Sequence, residues 1–206
     1  MKRYVLVAAV ALLGVTASFA QAPKDWKVRV DRSMNASDPD AAGSIKFVTM
    51  GSGFHATNPQ AAVYWSPANT ASGNFMLKGT FINQKSSPHA EYYGLIFGGS
   101  GLEGADQNYI YFLVAQDGSF LIKHRSGSSA STIVPATQSD AVKTGDLSSN
   151  ALEVQVAGDK VDFLINGKVV KTMPKSGALA KPDGIYGFRV NHMLEVQVDD
   201  FGLNKH

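Results

Sequence analysis

Along most of the chain, apolar and polar residues alternate with a period of two. In Leu152-Glu153-Val154-Gln155-Val156 every second residue is apolar, and Leu194-Glu195-Val196-Gln197-Val198-Asp199 repeats the pattern. This spacing puts one face of a strand on a core and the other in water. Runs rich in Val, Ile, Tyr and Phe recur at 26–31, 44–50, 54–57, 61–65, 74–81, 92–97, 109–114, 120–124, 151–156, 160–165, 168–172, 185–190 and 194–201. Gly, Pro, Asn, Asp and Ser separate them, which predicts a succession of strands. The run Tyr109-Ile110-Tyr111-Phe112-Leu113-Val114 is apolar throughout. It predicts a strand covered on both sides, or one whose aromatic face has another use.

Turn chemistry joins these strands into hairpins. Asn166-Gly167 follows Ile165, Ala157-Gly158-Asp159 lies between two runs, and Gln116-Asp117-Gly118 does the same after Val114. Asn-Gly supplies the positive φ values of a type I′ hairpin turn. After the first twenty residues, no stretch has the i, i+3, i+4, i+7 spacing of an amphipathic helix. Segments 31–43, 83–91, 99–107, 126–150 and 173–183 are polar and rich in Gly, Ser, Ala and Pro, and read as loops. The prediction is an all-β antiparallel domain, and so many strands favour two stacked sheets over a small closed barrel.

The first twenty residues read differently. Lys2 and Arg3 precede an apolar run from Tyr4 to Val15, and Ser18-Phe19-Ala20 has the small residues of a cleavage site. That order is the layout of a secretory signal peptide. The run is shorter than the roughly 20 apolar residues of a membrane span. The chain thus divides into a leader over 1–20, an N-terminal segment with the first strand over 21–43, and the β domain over 44–206; residues 21–206 fold together. A leader of this kind implies a bacterial periplasmic or secreted protein, with no membrane association after cleavage.

Composition narrows the partners. The net charge of the whole chain is +2, and removing Lys2 and Arg3 leaves equal numbers of basic and acidic side chains. Nucleic-acid binding needs clustered cations to displace counterions, and Lys123-His124-Arg125 does not suffice, so no nucleic-acid partner is expected. There is no cysteine, hence no disulfide and no lipid-modified cysteine, and stability must come from an ordinary core.

Three stretches resemble a known group. They are Asn150 to Val170 with its Asn-Gly turn, Gly184-Ile-Tyr-Gly-Phe-Arg-Val190, and Val198-Asp-Asp-Phe-Gly-Leu203. They are similar to the closing strands of concanavalin A-like lectin/glucanase jelly rolls. The bacterial secreted 3-keto-disaccharide hydrolase-type domain is the nearest in kind, and laminin G-like modules are relatives. Tyr92-Tyr-Gly-Leu-Ile-Phe-Gly-Gly99 through Val114 is similar to the central strand pair of that group. The resemblance implies a two-sheet antiparallel jelly-roll sandwich that often binds sugars on its concave face, and it implies calcium at a sandwich rim in some relatives.

Catalytic chemistry is hard to find. Glycosidases usually flank the scissile bond with two carboxylates, yet Glu91, Glu103, Glu153 and Glu195 have no acidic residue two and four positions away. Gly-x-Ser-x-Gly is absent, and His55, His89, His124, His192 and His206 show no metal-ligand spacing. No catalytic residue and no metal ligand is therefore assigned, and no cofactor is required. Calcium is the ion the loops suit best, because Asp38-Pro39-Asp40 and Glu103 to Asn108 cluster oxygen donors; ordinary turn formation accounts for the same residues.

Aromatic and planar polar residues are the better lead. By alternation Tyr109, Tyr111 and Leu113 share one face of their strand, while Ile110, Phe112 and Val114 take the core. Lys123 and Arg125 lie opposite Phe120, Ile122 and His124, and Arg189 and Asn191 lie opposite Phe188 and Val190. The candidate ligand-binding set is Trp65, Tyr109, Tyr111, Lys123, Arg125, Arg189 and Asn191: a polar groove floored by rings on which a sugar stacks. In the plainer alternative the tyrosines are core and the cations are rim. The leading expectation is a domain that binds a carbohydrate or glycan without an evident catalytic dyad. Cleavage of 3-keto-disaccharides and a structural envelope module are the alternatives.

Overall fold

The computed structural model describes residues 23–33 and 35–205, so the expected leader lies outside the described residues. Fourteen strands form two seven-stranded sheets, and every pairing is antiparallel. In spatial order the first sheet is β1 (Lys27–Asp31), β4 (Ala61–Ala71), β13 (Gly184–Val190), β6 (Tyr92–Ser100), β7 (Asn108–Ala115), β8 (Ser119–Ser126) and β9 (Ser129–Gln138). The second is β12 (Lys168–Pro174), β11 (Lys160–Ile165), β10 (Ser149–Ala157), β5 (Phe75–Lys85), β14 (Leu194–Lys205), β3 (Gly53–Asn58) and β2 (Lys46–Met50). The helical content among the described residues is one 3-10 turn, Gly177–Leu179. No helix among them is long and apolar enough to cross a membrane.

The alternating runs do what their spacing predicts. In β14, Leu194, Val196 and Val198 are buried while Glu195, Gln197 and Asp199 face outward. Asn166 and Gly167 turn at φ +51° and +79° between β11 and β12, as a type I′ hairpin requires. Between the sheets lies an aromatic core. Phe188 stacks on Tyr64 with centroids 4.9 Å apart and meets Phe201 edge-on at 5.6 Å. Trp26 closes one end against Phe54, at 4.5 Å. Offset and edge-on pairs of this kind add about 0.5–1.5 kcal/mol each beyond burial.

Part of the expected loop 126–150 is a strand. β9 occupies Ser129–Gln138 at the edge of the first sheet, and of its ten residues only Val134 is buried. Small polar residues and Pro135 gave it no apolar period, and an edge is where a sheet tolerates both. β4 likewise runs past Trp65 to Ala71 through Ser66 and Pro67, beyond its apolar run.

The first sheet is apolar on both faces. Its inner face feeds the main core through Tyr93, Leu95, Phe97, Ile110, Phe112 and Val114. Its outer face carries a second cluster built on Val63, Trp65, Ile96, Tyr109, Tyr111 and Leu113. β7, at the centre, is covered on both sides, which accounts for its unbroken apolar run. Gly187 lets β13 approach β4 closely, since a Cβ there would come 2.1 Å from the Tyr64 carbonyl oxygen. Gly187→Ala should therefore cost about 1–3 kcal/mol, read as a lower urea midpoint with an unchanged slope.

Candidate functional site

Strand register brings the sequence-predicted residues to one face. Lys27 of β1 lies opposite Trp65, Trp65 opposite Gly187, Gly187 opposite Ile96, Ile96 opposite Tyr111, and Tyr111 opposite Lys123. A neighbouring row runs Arg29, Val63, Arg189, Gly94, Leu113 and Leu121. Tyr109 lies opposite Arg125, and Asn191 follows the end of β13. All seven candidates thus share the outer face of the first sheet.

They are not presented alike. Trp65, Tyr109 and Tyr111 are buried, so these rings form a floor covered by other side chains rather than an open stacking platform. Two things cover them. The β6–β7 loop folds back over the face, seating Leu102 in the ring cluster. Arg29 holds that loop by donating to the carbonyls of Leu102 and Gly104, and Lys27 pairs with Glu103. The second cover is Arg189. From its place opposite Gly94, Arg189 reaches across β6 to β7. Its Cζ lies 5.8 Å from the centre of the Tyr111 ring, and Nη1 donates to the Tyr109 hydroxyl at 3.1 Å. Lys123 is half-buried on the same face and does not line the open part of the site.

A cation buried among rings needs an anion, and Asp31 at the end of β1 supplies it through an ion pair with Arg189 Nη1. Burial pulls the Asp31 pKa upward, but Arg189, helped by Arg125 and Arg29, holds the carboxyl below its ordinary value. Burial opposes the Arg189 charge too, yet Tyr109, Asp31 and Tyr111 keep its pKa raised. Arg189 Nε also donates to Asn191 Oδ1 at 3.0 Å, which orients that amide. Arg125 Nε is buried with no hydrogen-bond partner.

Above this floor is an open cleft of about 710 Å³. Its lining includes Arg29, Arg32, Arg125 and Arg189, balanced by Asp31, Asp38, Asp40 and Glu91. At one end Asp38, His89, Glu91 and His192 bring four ligand-type atoms within 4.8 Å of one another. Burial tends to lower the His192 pKa, but Asp40, Glu91 and Asp38 overcome it and hold it above the ordinary imidazole value.

The sequence reading missed Asp31, Glu91 and His192. They come from a strand end, the β5–β6 loop and the β13–β14 turn, so no local spacing joins them. Of the two loop stretches read as clustered oxygen donors, Asp38-Pro39-Asp40 contributes Asp38 to a cluster with His89, Glu91 and His192. The one local signal was His89-Ala90-Glu91, whose i, i+2 spacing puts both side chains on one side of an extended segment.

Asp31→Asn leaves Arg189 buried without its counter-charge and should cost about 3–5 kcal/mol near neutral pH. The folded pKa of Asp31 lies below its unfolded value, so its contribution is full above the unfolded pKa of about 3.9. It is lost as pH falls through the folded value. Urea unfolding at several pH values should show a steep acid loss in the wild type and a shallower one in Asp31→Asn.

Comparison with family models and with curated proteins finds no match. Solved structures do match. The carbohydrate-binding module CBM66 from Bacillus subtilis superposes with a TM-score of 0.66 at 12% identity, over 88% of this chain and 96% of that one. The Emp46p carbohydrate recognition domain, in a potassium-bound form, gives a TM-score of 0.55 at 11% identity, over 87% of this chain and 88% of that one. A putative glycosyl hydrolase from Parabacteroides distasonis gives 0.54 at 13% identity, over 87% of this chain and 100% of that one. At such identities the likeness concerns architecture: the chain has an antiparallel two-sheet jelly-roll fold.

Proposed function

We propose that this chain is an exported carbohydrate-binding domain, periplasmic or secreted, that takes a neutral glycan in the cleft on the outer face of its first sheet. The observation that carries this reading is the lining of the cleft, where four arginines stand against four carboxylates and the half-buried Arg125 and Asn191 add planar polar groups. Equal numbers of arginines and carboxylates disfavour a phosphate or polyanionic ligand, whereas they suit hydroxyls that both donate and accept. Arg125, Asn191 and the accessible edges of Asp31 and Arg189 are the groups that would meet them. The buried tyrosines support the site by fixing Arg189 rather than by stacking on the sugar. The jelly-roll neighbours that bind carbohydrate support the same reading by analogy only.

A second reading, cleavage of an oxidised disaccharide, draws on the convergence of Glu91 and His192 at the cleft, which supplies titratable groups the sequence did not bring together. Its test is incubation with 3-keto-glycosides. Release of the aglycone by wild-type protein but not by Glu91→Gln favours it, and unaltered substrate removes it.

For the binding reading, calorimetric titration with a panel of neutral mono- and oligosaccharides should find a ligand. Arg125→Ala should weaken it about 10- to 100-fold, the equivalent of one or two hydrogen bonds to a charged group, with little change in melting temperature. A panel that gives no heat, or an Arg125→Ala protein that binds as well as wild type, defeats it. For export, the protein recovered outside the cytoplasm should begin at Gln21 on N-terminal sequencing.

A further inference from the structure

We propose that Asp38, His89, Glu91 and His192 form a binding site for one divalent ion of the zinc class. Three separate stretches supply the ligands: the β1–β2 loop, the β5–β6 loop and the β13–β14 turn. His89 Nε2 lies 2.9 Å from Asp38 Oδ1 and 3.1 Å from Glu91 Oε1. His192 Nε2 lies 2.9 Å from Glu91 Oε1 and 3.2 Å from Asp38 Oδ1. The two Nε2 atoms are 3.3 Å apart. A tetrahedral zinc ion with bonds of about 2.0–2.1 Å holds its ligands roughly 3.3 Å from one another. The separations here approach that figure on every edge measured.

Hydrogen bonding alone is a poor account of the same atoms. An imidazole Nε2 carries at most one proton, yet each of these has three polar neighbours within 3.3 Å. If both are protonated, two N–H groups face each other at close range. If either is not, its lone pair faces two carboxylate oxygens. A cation at the centre attracts all four atoms at once, and two carboxylates with two neutral imidazoles balance its double charge.

The surrounding contacts prepare the site. Asp40 Oδ1 lies 3.1 Å from His192 Nδ1, the outer-shell arrangement that turns the other ring nitrogen toward a metal. Asp40 is itself fixed, because its Oδ2 accepts the Ser33 N–H at 2.9 Å. Gln116 braces the histidine loop: its Nε2 donates to the carbonyls of Ser87 and His89, and its Oε1 accepts the Glu91 N–H at 3.1 Å. Glu91 and His192 are buried, whereas Asp38 and His89 are 38% and 43% exposed, so the cluster is open to solvent on that side. Two imidazole nitrogens among four donors suit zinc or cobalt; calcium prefers six to eight oxygens.

The test uses the full chain purified without a histidine tag, stripped by chelator and then titrated with Zn²⁺ and Co²⁺. The expected result is one equivalent of either ion, the intense visible absorption of tetrahedral Co²⁺, and a higher melting temperature with Zn²⁺. His89→Ala, at an exposed position that should not affect folding, should lose stoichiometric binding and the Co²⁺ spectrum. Asp40→Asn should weaken binding about 10- to 100-fold. Failure of wild-type protein to retain zinc, full retention by His89→Ala, or displacement of zinc by excess Ca²⁺ would each overturn the proposal. No glycan enters the measurement, so its outcome is independent of the carbohydrate reading.

Discussion

A guanidinium laid across two buried phenol rings is tolerable only opposite a carboxylate, and the candidate site depends on that pairing. Arg189 crosses β6, covers Tyr111 and reaches Tyr109. Asp31 answers it from the end of the edge strand β1. Removing either partner strands the other's charge in low dielectric, which costs far more than the pair contributes as a unit. The pair therefore ties the edge strand to the middle of the sheet and fixes the polar groups that rim the cleft. Packing and recognition meet in one residue.

The rings gain from the same arrangement. Tyr109 and Tyr111 are buried on a face that would otherwise be an exposed apolar patch, and their phenols are shifted upward chiefly by that burial. Covering them with Leu102, a loop and an arginine turns an apolar face into a polar one without losing the core beneath. The cleft keeps arginines and carboxylates in equal number, and Asp38, Glu91 and His192 of its lining converge with His89.

Much of the architecture was legible because the strands obey a period of two. β10 and β14 alternate, Asn166-Gly167 turns as its composition dictates, and Tyr109, Tyr111, Lys123, Arg125 and Arg189 fall on the side that counting assigned. β9 was illegible because an edge strand need bury little, and Val134 alone carries no period. The covering of the rings was illegible too, since counting faces cannot reveal that the β6–β7 loop folds back onto the sheet. The histidine–carboxylate cluster could not be read because its members are assembled by topology from distant loops. Local pattern specifies elements and faces, whereas convergence of loops is a property of the whole fold.

One border of each sheet, β9 in the first and β12 in the second, carries a further consequence. β9 contains Pro135, which has no backbone donor, and its pairing with β8 shifts register on either side of Ile122. β12 ends in Pro174, bears Lys168 and Lys171, and slips register against β11. An incoming strand from a neighbouring molecule needs a straight, uninterrupted row of free amides and carbonyls to zip against. Neither β9 nor β12 offers one, so along these two of the four sheet edges the sandwich is shielded against pairing with a neighbouring molecule.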